Sequence, residues 1–253
     1  MRAAYALLER ELLRFFRQPN RIVGAIGQPL LFWVLLGAAF RGSFKAPGME
    51  ETYGQFFLPG VATMIALFTA IFSTISVIED RKEGFLQGVL VAPVGRFSLV
   101  AGKLLGGTVL AVLQATLFLL LAPTVGIPLT ATALLGAVGV LGVMAFGLTG
   151  LGFAIAWRMD STQGFHAIMS VFLLPLWLLS GSVFPAAGAH PALAFVLKLN
   201  PLSYGVAALR HALGMEGATP GPVVCLLVSL LFALAMFLLS LRLARRPAKG
   251  DLQ

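Results

Sequence analysis

The chain has 253 residues, of which 58% are hydrophobic and 11% charged, and its mean hydropathy is +0.93. Soluble domains carry about 25% charged residues, so this chain has too little polar surface to face water and must take lipid as its main solvent. The formal charge of +8 does not point to nucleic acid: Lys and Arg flank the ends of apolar runs, where anionic headgroups would meet them, and no basic face is interleaved with aromatics. The lone Cys225 excludes an internal disulfide framework and a Cys-based metal site. His166, His190 and His211 lack zinc-ligand spacing.

Residues 1–21 come first, and their period predicts an amphipathic helix. Tyr5, Leu8, Leu12 and Phe15 fall on one side and Arg10, Arg14 and Arg17 on the other, as spacings of three and four require. Pro19 and Asn20 end it, and the Arg residues are expected at the headgroups, with the helix lying in the inner interface. Because about twenty residues containing Arg and Glu precede the first apolar run, that run reads as a retained anchor and not as a cleaved signal.

A membrane span needs about 20 apolar residues. Six runs meet this standard, at 22–40, 56–77, 99–122, 131–156, 164–183 and 222–241, together forming a transmembrane domain over 22–253. The predicted class is an all-α membrane protein with six transmembrane helices. Lys103 is the one charge inside a run; it is expected to snorkel from the first turn of its span. Gly102 and Gly106 give that span a GxxxG, and Gly136, Gly139, Gly142, Gly147, Gly150 and Gly152 line the fourth. Glycine lets helices approach closely, either inside one bundle or at a dimer interface.

Lys and Arg counts set the orientation. Arg2, Arg10, Arg14, Arg17, Arg21, Arg81, Lys82, Arg96, Lys103, Arg158, Arg242, Arg245, Arg246 and Lys249 fall on one side, against Arg41, Lys45, Lys198 and Arg210 on the other. Both termini are therefore expected in the cytoplasm. Residues 41–55 form a modest external loop. The longer external segment 184–221 is too apolar for a free loop and is broken by Pro185, Pro191 and Pro201. It reads as one or two short helices lying at or dipping into the outer leaflet, where protein or a water-filled cavity must cover the backbone.

The cytoplasmic loop 78–98 holds Glu79-Asp80-Arg81-Lys82-Glu83-Gly84, then Phe85-Leu86-Gln87-Gly88-Val89-Leu90-Val91, then Pro93-Val94-Gly95-Arg96. Charges, an apolar helical turn and a Pro-bounded stop fit a short amphipathic helix parallel to the membrane. Mixed charge alone would fit any inside loop. The stretch resembles the first cytoplasmic loop of ABC-2 type permeases, the membrane subunits of a class of ATP-binding-cassette exporters. The match is carried by Arg81, Glu83, Gly84, Leu86, Pro93, Val94, Arg96, Gly102 and Lys103; Phe85 and Gln87 depart from the family's usual Thr and Glu. A second match runs through Ser180-Gly181, Phe184-Pro185, Pro191, Asn200-Pro201-Leu202-Ser203-Tyr204 and Ala208-Leu209-Arg210, and a third through Tyr53 and Phe57-Leu58-Pro59-Gly60. Taken in order they cover nearly the whole chain.

The resemblance implies a permease that dimerises, with a second copy in preference to a paralogue, so that twelve spans enclose a pathway above two copies of an ATPase subunit. ATP and Mg would bind in that partner and no cofactor in this chain. The pattern from Gly95 to Gly102-Lys103-Leu104 has the wrong spacing for a P-loop and lacks Ser or Thr after Lys. The 79–96 segment is then the coupling element, with Glu79, Asp80, Arg81, Glu83, Gly84, Pro93 and Arg96 as its residues, in a chain resident in the cell (inner) membrane and surrounded by lipid. Asn200, Pro201 and Tyr204 would sit outside, as an outer gate or as plain turn chemistry. Phe68, Phe72, Phe146, Met169, Phe172 and Trp177 would line a route for hydrophobic cargo, or face lipid and core. The cargo class, whether drug, lipid or polysaccharide, is open.

Two other classes fit a polytopic chain. An ion-coupled secondary transporter usually needs an intramembrane carboxylate or interrupted helices, and neither is evident. An intramembrane hydrolase would need a serine beside a base; Ser182 and His166 are 16 residues apart on one predicted helix, about 24 Å at 1.5 Å per residue. A lone buried His such as His166 more often packs than carries protons.

Overall fold

The computed structural model describes residues 2–17, 19–40, 52–91, 95–185, 190–215 and 218–245. Among them the chain is helical, without strands, and it begins with α1 (Arg2–Phe16) and α2 (Pro19–Ala39). Residues 41–51, the larger part of the loop 41–55 expected outside, lie beyond the described residues, as do Pro93 and Val94 and the tail from Arg246. α3 (Tyr53–Ser73) and α4 (Ile75–Lys82) make one rod broken only at Thr74, and α5 (Phe85–Val91) turns off its end. α6 (Arg96–Leu119) follows, then a 3-10 turn (Ala122–Val125), α7 (Ala131–Ala156), α8 (Thr162–Leu178), α9 (Pro191–Leu199), α10 (Pro201–Ala212) and α11 (Pro222–Ala244).

Local chemistry explains these boundaries. Thr52 and Gln55 form a reciprocal capping box at the start of α3, which satisfies two backbone donors that the helix leaves open. Thr130 and Ser161 cap α7 and α8 through their hydroxyls, and proline occupies the first turn of α9, α10 and α11, where its missing N–H costs nothing. At the α3–α4 break Thr74 donates its hydroxyl to the Ile71 carbonyl (2.6 Å), a back-bond that bends helices. Gly84, at φ 74°, makes the reversal into α5 that a side chain would strain.

α3 is the central helix: 83% of its most apolar window is buried inside the chain, against 22% for α11 at the rim. It packs on α2, α6, α7, α8 and α10. A polar pair crosses its seam with α6, where Thr69 donates to Gln114 Oε1 at 2.8 Å. Among the described residues four helices are long and apolar enough to cross a bilayer: α3 with α4, α6 with its 3-10 extension, α7 and α11. The α9–α10 pair, bent by 84°, makes up to a fifth. The count of six is not reached on these grounds. Within α2, which has Pro29 inside it, the apolar helix is the short stretch Pro29–Ala39, and α8 has 17 residues before Gly181, at φ 75°, turns the chain.

The glycines divide by neighbour. A Cβ on Gly147 or Gly150 would strike α11, and one on Gly152 would strike Thr74 and Ile71. Those glycines serve packing inside one bundle. Gly139 and Gly142 face open space.

Candidate functional site

The residues of the 79–96 segment do not form one outward surface. Asp80 is fully buried. Arg10 of α1 holds its carboxylate through two bonds, Nη1 to Oδ2 at 3.0 Å and Nη2 to Oδ1 at 2.8 Å, and Arg14 adds a third at 3.2 Å. Hydrogen bonding to Asp80 raises the Arg10 guanidinium above its ordinary value, and the same group lies 3.8 Å from the centre of the Phe85 ring. Arg14 also pairs with Glu79 (2.9 Å) and reaches Glu83 (3.6 Å). The amphipathic helix is thereby fastened to both α4 and α5.

Lys103 completes the cluster and departs from the snorkelling expected of it. It is 5% exposed. Its Nζ donates to Glu11 Oε1 at 2.5 Å, to Ser76 Oγ at 3.2 Å and to Asp80 Oδ2. Two causes combine. α6 begins at Arg96, so Lys103 lies about 10 Å along the helix at 1.5 Å per residue. Glu11, which the periodicity assigned to neither side, lies inside at 6% exposure. The face of α1 turned to the bundle is Ala4, Leu7 and Glu11, whereas Tyr5 is 69% exposed.

Gly102 and Gly106 make this docking feasible. A Cβ on Gly102 would lie 2.8 Å from the Ala4 carbonyl and 2.9 Å from Leu7 Cβ; one on Gly106 would lie 2.9 Å from Glu11 Cβ. The GxxxG therefore receives α1 of the same chain. Gly102→Val is expected to displace α1 at a cost of about 1–3 kcal/mol, read as faster tryptic cleavage at Arg10 and Arg14 in detergent. Gly139→Val, which meets open space, should leave cleavage unchanged.

Arg81 points another way. It donates to the carbonyls of Trp157 (2.7 Å) and Met159 (3.3 Å) and pairs with Asp160 (3.2 Å), closing the C-terminal end of α7 where a cation complements unpaired carbonyls. Of the predicted coupling residues, Glu83 (58% exposed at its side chain) and Gly84 face outward. Arg96 is half-buried at the start of α6. Pro93 lies outside the described residues. The outward surface continues over Gln87 and Gly88 to Val91, which is 89% exposed.

At the opposite end of the bundle Asn200 holds the bent pair. Its Nδ2 donates to the carbonyls of Leu176 (2.7 Å) and Leu179 (2.8 Å), and its Oδ1 caps α10 by accepting from Leu202 N–H at 2.9 Å. Pro201 opens α10, and Tyr204 donates to the Lys198 carbonyl at 3.0 Å. Arg210 reaches across to the Gly181 carbonyl (2.9 Å) and stands 4.2 Å over the Phe56 ring. Arg210 stands in the Ala208-Leu209-Arg210 match, which gave it no partner; Glu11 was not singled out by the sequence, where its signal was only a charge next to apolar residues.

The aromatic candidates separate. Phe68 and Phe72 are neighbours at 5.9 Å between centroids, and His166 stacks on Phe72 at 4.9 Å. Met169 and Trp177 belong to the single stripe of α8 that is buried, with Phe165 and Leu173; Trp177 donates to the Gly60 carbonyl at 2.8 Å. Phe172 is 46% exposed on another side of α8. Phe146 stands apart, packed on Phe237 of α11 at 5.7 Å. Ser182 is bonded to Ser180 at 2.7 Å, and His166 is taken up by Phe72.

Across residues 2–214 the chain matches the model of the ABC-2 type transporter family. It belongs to that family. Relatives include a putative transport permease (ycf38) of Cyanophora paradoxa, 30% identical over 209 residues that span 81% of this chain and 72% of the relative. A daunorubicin resistance ABC transporter permease (DrrB1) of Streptomyces coeruleorubidus is 27% identical over 214 residues, again 81% of this chain and 72% of the relative. Nodulation protein J of Sinorhizobium fredii is 27% identical over 229 residues, 89% and 86% of the two chains. The chain is thus a multi-pass membrane permease of an ATP-binding-cassette transporter, and the secondary-transporter and hydrolase readings fall away.

Proposed function

We propose that the permease is the pathway half of an ATP-driven exporter, working as a homodimer above two copies of a separate ATPase subunit that binds ATP and Mg. On this reading α2, α3, α6, α7, α8 and α11 are its six crossings, so that two copies bring twelve. α1 and α5 lie on the cytoplasmic side of the cell membrane with both termini, as the distribution of Lys and Arg supports. The family itself supports an ATPase partner.

One observation carries the reading: the α4–α5 hairpin is braced at its base and bare at its tip. Asp80, Glu79 and Arg81 are committed to α1 and α7, so the surface offered to the ATPase is Glu83, Gly84, Gln87, Gly88 and Val91, with Asp80 and Arg81 acting as positioning residues behind it. Asn200, Pro201 and Tyr204 close the outer end, and the Phe68–Phe72–His166 seam supports a hydrophobic cargo, in keeping with a relative named for daunorubicin resistance.

Affinity purification of the tagged permease from native membranes tests this. An ATP-hydrolysing subunit is expected to co-purify, and Glu83→Arg with Gln87→Arg should reduce its recovery at least tenfold (about 1.4 kcal/mol or more). Recovery of no such subunit, or recovery unaffected by the two changes, would refute it.

A further inference from the structure

Lys103 and Glu11 belong to none of the surfaces assigned above, yet three helices meet on this one ammonium: α1 through Glu11, α4 through Ser76 and Asp80, and α6 through Lys103 itself. Buried ion pairs bring little net stability over apolar residues of the same shape, so stability alone is a poor reason for the cluster. What charges provide and apolar contacts do not is a fixed register. Apolar surfaces slide past one another in shear, while a hydrogen-bonded charge cluster has discrete arrangements.

The surroundings fit such a joint. Gly102 and Gly106, on either side of Lys103, let the α1 backbone lie directly on α6, and Arg10 and Arg14 tie α1 to the same Asp80 that Lys103 holds. Leu117 lies 14 residues further along α6, about 21 Å of continuous helix. A displacement of the α4–α5 hairpin has other exits as well: along the chain into the first turn of α6, through Arg10 and Arg14 into α1, through Thr74 into α3, and through Arg81 into the α7–α8 turn.

From this geometry we infer that Lys103 is the positioning residue through which movement of the α4–α5 hairpin reaches α6, with Glu11 and Asp80 as its two sockets. The inference rests on the proposal that an ATPase moves the hairpin. The test uses the permease purified with its ATPase, in a Cys225→Ala background, with a bimane fluorophore at Lys82→Cys, exposed on α4 and outside the surface assigned to the ATPase, or, separately, at Leu117→Cys. The variant is Glu11→Gln with Lys103→Met, which removes one charge of each sign and leaves Asp80 paired with Arg10 and Arg14. ATP with vanadate is expected to shift the emission at both sites in the otherwise unaltered chain. In the variant the Lys82 shift should persist, the Leu117 shift should be lost, and ATPase recovery should stay within twofold. If the Leu117 shift persists, or if ATPase recovery falls as well, Lys103 is a structural ion pair and the inference is overturned. Absence of the Lys82 shift in the unaltered chain is a separate result: it refutes the ATPase reading itself, and the inference with it. Should the double variant not insert, Glu11→Gln with Lys103→Gln serves, since an amide at 103 removes the charge and still offers Ser76 and Asp80 a hydrogen-bond partner.

Discussion

Lys103→Met on its own is expected to destabilise the permease by about 3–5 kcal/mol, the range for removing one partner of a buried ion pair. The reason lies in what stays behind. Asp80 still has Arg10 and Arg14, but Glu11, 6% exposed, loses its 2.5 Å partner and among the described residues retains only Arg10 at 3.7 Å. An uncompensated buried carboxylate, not the lost pair itself, accounts for most of the cost. Adding Glu11→Gln should therefore recover more than half of the loss, because the cluster is again balanced in charge. The measurement is the temperature at which half the monodisperse peak is lost in size-exclusion chromatography of the detergent-solubilised protein. If the single and double variants lose the same amount, Lys103 is hydrated in the native protein and its burial in the cluster does not describe it.

At the other end, Asn200→Asp is expected to cost about 3 kcal/mol, through two buried carbonyls left without donors. The change is nearly isosteric. The remaining Oδ can still accept from Leu202 N–H and cap α10, but the atom that donated to Leu176 and Leu179 becomes an acceptor facing two acceptors. α9 and α10 should swing away from the end of α8, read as faster proteolysis of the 184–200 segment. Tyr204→Phe removes one bond, to the Lys198 carbonyl, and should cost less than about 1 kcal/mol. Equal effects of the two would show that Asn200 contributes only its cap.

Much of the molecule is legible residue by residue. The helix ends follow from Thr52, Thr130, Ser161 and Asn200, each a capping residue placed where its side chain can reach a free N–H. The turn between α4 and α5 follows from Gly84. The charged stretch 79–83 is a surface only in part, however: Lys82 and Glu83 are exposed, whereas Asp80 and Arg81 face inward to α1 and α7. Periodicity cannot distinguish a charge facing water from a charge facing its counter-charge, since both produce the same spacing. Glu11 and Lys103 were hidden for the same reason. They are 92 residues apart, and neither position alone indicates the other. Phe146 was grouped with Phe68 and Phe72 because composition ranks aromatics by kind; the packing separates them, since α7 turns Phe146 towards α11.

By itself, the sequence determined the solvent, the secondary structure and the family: too few charges for water, apolar runs long enough for lipid, and caps, prolines and glycines that place the helix ends. Those are local properties, set by each residue and its near neighbours. The tertiary structure decided which charges lie inside, which glycines receive α1, and how α9 and α10 bend about Asn200. These depend on groups brought together from distant parts of the chain, and only packing brings Glu11, Asp80 and Lys103 to one point.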